Sequence, residues 1–184
     1  MKRLFGSVVV NLLLLGAVCF AQQPEVAAKN KSEAAAIKAE AENSSRAFIN
    51  GDMDKMLDLT YPKLIELGGG REKVMAALES ELKEMRELGM KIIAHTVGEP
   101  EPSVRVGAKL VAIVPTALKT ELDGSVIEQK SFWLAVSTDE GKSWRFLDGS
   151  SLNTDTLKLL LPEAVDKIKL PRVVQPVTER KPAN

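Results

Sequence analysis

The sequence predicts an α+β domain: helices first, then a curved antiparallel sheet packed against them. Three observations predict it. Apolar residues recur at three- and four-residue steps as far as Leu88, and from Met90 onward the repeat changes to two. The later segments are joined by short glycine-containing turns. Strands joined by such turns run antiparallel, and helices that precede a sheet rather than alternate with its strands do not build a parallel one.

The chain has 184 residues, 45% of them hydrophobic, with 25 cationic and 25 acidic side chains, one histidine and one cysteine. That is enough apolar material for one core. It excludes a strongly basic nucleic-acid binder, a disulfide scaffold, a zinc-thiolate site and a polytopic membrane protein.

Residues 1–21 are expected to form a secretory signal. Lys2 and Arg3 precede an apolar stretch from Val8 to Phe20, broken only by Asn11, and Cys19 and Ala21 are the small residues a signal peptidase reads. The stretch is short of the roughly 20 residues a spanning helix needs, so stable membrane insertion is not expected. Lipid attachment at Cys19 is disfavoured because Val18 stands before it. The expected location is therefore periplasmic or extracellular. Without Lys2 and Arg3, 23 cationic residues face 25 carboxylates. The deficit falls on the body of the chain, which argues against a phosphate-backbone partner.

Residues 22–31 read as a polar, Ala-rich linker, and the domain is expected over 32–161. Ser32 caps a first helix with Ile37, Ala41, Ser44 and Phe48 on its inner face, ended by Asn50-Gly51. Asp52 caps a short second helix carrying Met53, Met56, Leu57 and Thr60, closed at Tyr61-Pro62. Lys63 to Leu67 reads as extended, and Gly68-Gly69-Gly70 as a hinge. Arg71 to Leu88 is a long helix with Val74, Leu78, Leu82, Met85 and Leu88 on one stripe, helped by Ala77, and Gly89 ends it.

Four strands are expected next. Ile93, His95 and Val97 share a face in the first. Val104, Val106, Ala108, Leu110, Ala112 and Val114 share one in the second. Phe132, Leu134 and Val136 oppose Trp133 and Ala135 in the third, and Trp144 and Phe146 form the fourth. Asp123-Gly124 is a two-residue hairpin turn. Residues 162–184 hold four of the nine prolines and read as a flexible tail, with Val165, Ile168, Leu170, Val173 and Val174 leaving room for part of it to dock.

Phe48-Ile49-Asn50-Gly51-Asp52-Met53-Asp54-Lys55-Met56-Leu57-Asp58-Leu59 resembles the F-x-x-G-D-x-x-x-L-x-x-L segment of the nuclear transport factor 2-like (SnoaL-like) superfamily. The order helix, short helix, short piece, long helix, strands is similar to that family over residues 32–150. The resemblance implies a cone-shaped α+β fold with the long helix cradled in the sheet. It also implies a pocket in the cone and a dimer interface on the outer sheet face. The family's enzymes carry an acid–base residue and a hydrogen-bond donor in the cone. No residue-by-residue match to those groups is found here, which disfavours catalysis. Ser137 to Trp144 resembles the Asp-box, S-x-D-x-G-x-x-W, of sialidase-like propellers. One copy cannot build a propeller, so it reads as a structural turn.

His95 is the candidate base and Tyr61 the candidate donor; both, with Ile93, Phe132 and Trp133, are the candidate ligand-binding residues. Glu66 and Asp148 are expected to be solvated. No metal is expected from a lone histidine, and no cofactor, since there is no phosphate-binding glycine loop and no G-x-S-x-G. The expected function is an exported, non-catalytic domain that holds a small apolar molecule or a peptide or acts as a protein-interaction module, with the outer sheet face suited to a homodimer. The alternative is an isomerase or lyase using His95.

Overall fold

A computed structural model describes residues 23–180, with side chains over 30–178. The expected signal, 1–21, lies outside the described residues. Four helices come first: α1 (Gln23–Asn50), α2 (Met53–Asp58), α3 (Pro62–Leu67) and α4 (Arg71–Glu87). Strands β1 (Lys91–Val97), β2 (Val104–Val106), β3 (Lys109–Leu122), β4 (Ser125–Ser137) and β5 (Arg145–Asp148) follow. A short helix α5 (Thr154–Leu160) and an edge strand β6 (Val177–Arg180) close the described chain. The sheet is antiparallel and curls into a half-barrel, as the change of period implied.

Two long strands form its spine. β3 and β4 pair from Leu110↔Ser137 to Leu122↔Ser125. The hairpin is tight because Asp123 and Gly124 both take positive φ, 49° and 73°, the geometry whose twist matches that of the strands. β1 and β2 share one edge of β3; β5 and β6 share the far edge of β4.

Alternation along the spine separates two apolar clusters. Leu110, Ala112, Val114, Ala135 and Phe146 face one way and pack under α1 through Ile37 and Ala41, with Leu59 and Trp144. Val111, Ile113, Phe132, Leu134, Val136 and Leu147 face the other way and lie under Leu157, Leu160, Leu161, Ala164 and Ile168. Burying each such side chain contributes on the order of 1.5–3 kcal/mol.

Several sequence expectations are corrected. The stretch read as a linker is helical from Gln23, because its alanines favour helix and no Gly or Pro interrupts it after Pro24. Residues 63–67 are helical rather than extended: Pro62 sits at the first helical position, where its fixed φ starts a helix and its missing N–H costs nothing. The expected second strand is two strands. Gly107 at φ 60° folds the chain back, so Val106 pairs with Lys109 and joins the cluster opposite Leu110. The segment after Leu161 is docked in part: Ala164 and Ile168 are buried, Val165 and Leu170 pack against them, and residues 177–180 pair with 125–128, whereas Val173 and Val174 are exposed. That segment also covers Phe132, which is 2% exposed, so this part of the outer sheet face is closed.

The long helix α4 departs furthest from expectation. None of its residues is buried. It is tied at its start to α2, where Arg71 bridges Asp54 and Asp58 at 2.8 Å each. Its apolar stripe faces the sheet across a cavity instead of packing on it. Helix α1 takes the place on the sheet expected of α4, lying against β1 and the cluster beneath it.

Candidate ligand cavity

The cavity has a volume of about 770 Å³, within the range of small-molecule sites. Its helical wall is Val74, Leu78, Leu82 and Met85 of α4 with Met53 and Met56 of α2. Its sheet wall follows from alternation on the α1-facing side of the spine. Beyond Val114 and Ala135 the same face carries Thr116, Leu118 and Thr120 on β3, and Ile127, Gln129, Ser131 and Trp133 on β4. The face that is a dry core under α1 thus becomes a mixed polar and apolar lining where α1 no longer covers it.

His95 lines this cavity from β1, opposite Leu118. Its ring stacks on Trp133 with centroids 4.9 Å apart and meets the edge of Phe48 at 5.8 Å. The buried Ser45 of α1 contacts it twice: the Ser45 hydroxyl donates to the His95 carbonyl at 3.0 Å and lies 2.9 Å from Nδ1. A hydroxyl has one proton. With that proton on the carbonyl, Nδ1–H donates to Ser45 Oγ, and a neutral ring then carries its lone pair on Nε2. Burial lowers the His95 pKa below its ordinary 6.5, against a smaller upward pull from Asp148, and so favours that neutral ring.

Ser131 supplies a second polar feature. It sits opposite Thr116, and its Oγ is buried with no hydrogen-bond partner among the described residues. A buried hydroxyl left unpaired costs free energy, which a ligand atom placed against it recovers.

The remaining candidates are not gathered here. Tyr61 is 6% exposed and packs in the cluster on the opposite face, near the Lys109–Glu163 ion pair; burial raises its hydroxyl pKa. Its backbone N–H also donates to the Phe146 carbonyl at 3.0 Å. Phe132 alternates away with Leu134. Ile93 is 46% exposed, because the β1–β3 register shifts between Ile92 and Ala94 and leaves Ile93 bulged without a partner. Of the five residues expected to bind, His95 and Trp133 line the cavity. Glu66 and Asp148 are exposed, as expected, and Asp148 also lies on the cavity lining.

Sequence reasoning missed Ser45 and Ser131. Both looked like small polar residues within an amphipathic pattern, and nothing local marks one as a histidine's partner or the other as unpaired. The α4 stripe was visible but read as core.

The Ser137–Trp144 turn has the structural role expected. Asp139 accepts from Ser143 N–H at 2.9 Å, from Ser143 Oγ at 2.7 Å and from Ser137 Oγ at 2.8 Å. These bonds, led by the Ser143 amide, lower its pKa to about 2. Gly141 sits at φ 86°, and Trp144 is fully buried beside it.

Among the described residues no group of three His, Cys, Asp or Glu is arranged to hold a metal ion, and no helix is long and apolar enough to cross a membrane. The class defined is a helix-and-curled-sheet α+β protein with one apolar wall left uncovered. No protein-family profile, characterised protein or solved structure matches the chain.

Proposed function

We propose that this chain is an exported binding domain, of the kind the nuclear transport factor 2-like resemblance implies, that holds a small apolar molecule between α4 and the sheet. The observation that carries it is the α4 stripe. Val74, Leu78, Leu82 and Met85 are aligned as a core-facing helix would align them, yet they face about 770 Å³ of space rather than protein. An apolar wall of this kind is maintained at a cost in stability unless something of matching character covers it. Four methionines, Met53, Met56, Met85 and Met90, line the same space and can repack around different shapes.

The test is fluorescence of N-phenyl-1-naphthylamine, an uncharged apolar dye. The expected result is saturable enhancement with the wild-type chain, lost in Leu78→Asp/Leu82→Asp, whose circular dichroism stays native because neither position is buried. No saturable enhancement with the wild-type chain overturns the reading.

A second reading rests on the Ser45–His95 pair. A neutral imidazole with Nδ1–H fixed by a hydroxyl is the arrangement of a general base acting through Nε2, as an isomerase or lyase would need. Tyr61 does not serve as its donor from the opposite face; Ser131 and Gln129 are the polar groups on the same wall.

A further inference from the structure

We propose that the molecule held in this cavity is uncharged and carries a hydrogen-bond-donating group, a hydroxyl or N–H, on an apolar body. The inference rests on the binding reading above and names the chemistry of the ligand.

Charge is the first argument. Among the described side chains lining the cavity there is no Lys or Arg; the charged ones are Glu81 and Asp148. An anionic amphiphile such as a fatty carboxylate would enter without a counter-charge and beside two like charges. With no cation on the lining, the carboxylate's loss of hydration is uncompensated. Glu81 and Asp148 are both exposed, so each keeps its own hydration while setting the sign of the potential at the cavity's solvent side.

Hydrogen-bonding capacity is the second argument. One polar group on the sheet wall, the neutral His95 ring, is left with an acceptor only. Nε2 of His95 bears a lone pair once Nδ1–H is committed to Ser45. Ser131 Oγ is buried and unpaired among the described residues, and its hydroxyl can accept from the same ligand donor or give its own proton to a second ligand atom. A ligand N–H or O–H pairs with His95 Nε2, which a bare ether or alkane cannot do. His95 stacked on Trp133 and Ser131 on the same β4 face place that polar strip on the sheet side, opposite the α4 stripe. The ligand's polar group therefore points to the sheet and its apolar body to Val74, Leu78 and Leu82.

Three related dyes test this with the whole chain after export. N-phenyl-1-naphthylamine is uncharged and has an N–H; its N-methyl derivative lacks the donor; 1-anilinonaphthalene-8-sulfonate carries an anionic group on the same frame. The expected order is the parent at least tenfold tighter than the sulfonate and at least fivefold tighter than the N-methyl compound. Glu81→Lys, at an exposed position, should raise sulfonate affinity severalfold and leave the parent within threefold, which separates charge from bulk. Ser131→Val should weaken the parent more than the N-methyl compound. A sulfonate that binds as tightly as the parent, or an N-methyl compound that does, overturns the proposal while the binding reading stands. Failure of all three dyes to bind overturns both.

Discussion

The two ends of the β3–β4 spine share a backbone pairing and a side-chain period but differ in what covers them. At the end that begins with Leu110 both faces are closed, one by α1 and the other by α5 and the segment after it. At the end that leads to the Asp123-Gly124 turn, the inner face opens on the cavity and α4 stands across from it. The comparison teaches that one strand can be core for half its length and binding wall for the other half, with no change in local geometry. Polarity follows cover. The inner face reads Leu110, Ala112, Val114 where it is closed, and Thr116, Leu118, Thr120 where it opens.

Substitutions at the closed end should have the largest effect on stability. Phe132→Ala removes a buried ring from beneath the docked C-terminal segment and should cost about 3–5 kcal/mol in urea unfolding. A loss under about 1 kcal/mol would mean that the segment does not seal that face. Gly149→Ala comes next. A Cβ there would lie 2.5 Å from the Phe132 carbonyl oxygen and 2.6 Å from its ring, both hard to move. The expected cost is about 1–3 kcal/mol, again read from the unfolding midpoint.

The open end should respond differently. Leu82→Ala trims a half-exposed residue with no core behind it, so stability should change by less than about 1 kcal/mol. The naphthylamine affinity should nevertheless fall several-fold. A stability loss as large as that of Phe132→Ala would show that α4 packs on protein, and the contrast between the two ends would collapse.

The smallest effect is a pH response at the boundary between them. Burial holds the folded His95 pKa below 6.5, so the unfolded chain takes up a proton first. The stability contributed by the neutral ring is complete above pH 6.5 and is lost as the pH falls through the folded pKa. A protonated imidazole 4.9 Å from Trp133 should quench its fluorescence. In a Trp144→Phe background, the quenching midpoint should therefore lie below 6.5 and vanish in His95→Gln. Asp139 obeys the same sign in a lower window: its contribution is whole above 3.8 and lost toward about 2. Acid unfolding of Asp139→Asn should lack that component.

Much of this was legible in the chain itself. Helix α4, the strand alternation, the Asp123-Gly124 hairpin and the Asp139 turn are all governed by contacts within a few residues, and local patterns report them directly. Ile37, Ala41 and Ser44 were correctly placed on an inner face. Of the five candidate site residues, two were legible. His95 and Trp133 fell on the right wall because alternation alone decides a strand's face. Tyr61 missed because it precedes a helix, where no period says which side of a distant strand its ring will meet. Ile93 missed because a bulge is a property of the pairing between two strands.

The succession of helices before a sheet, the faces of the long strands and the turns at their ends were determined by sequence alone, because each is a short-range consequence of side-chain period and backbone preference. Tertiary structure decided which apolar surface is buried by protein and which is left to line a space. The residues of α4 and those of α1 present the same kind of stripe to their neighbours. Only the path of the whole chain brings α1 onto the sheet and holds α4 away from it, since the contacts that set that distance join residues far apart in sequence.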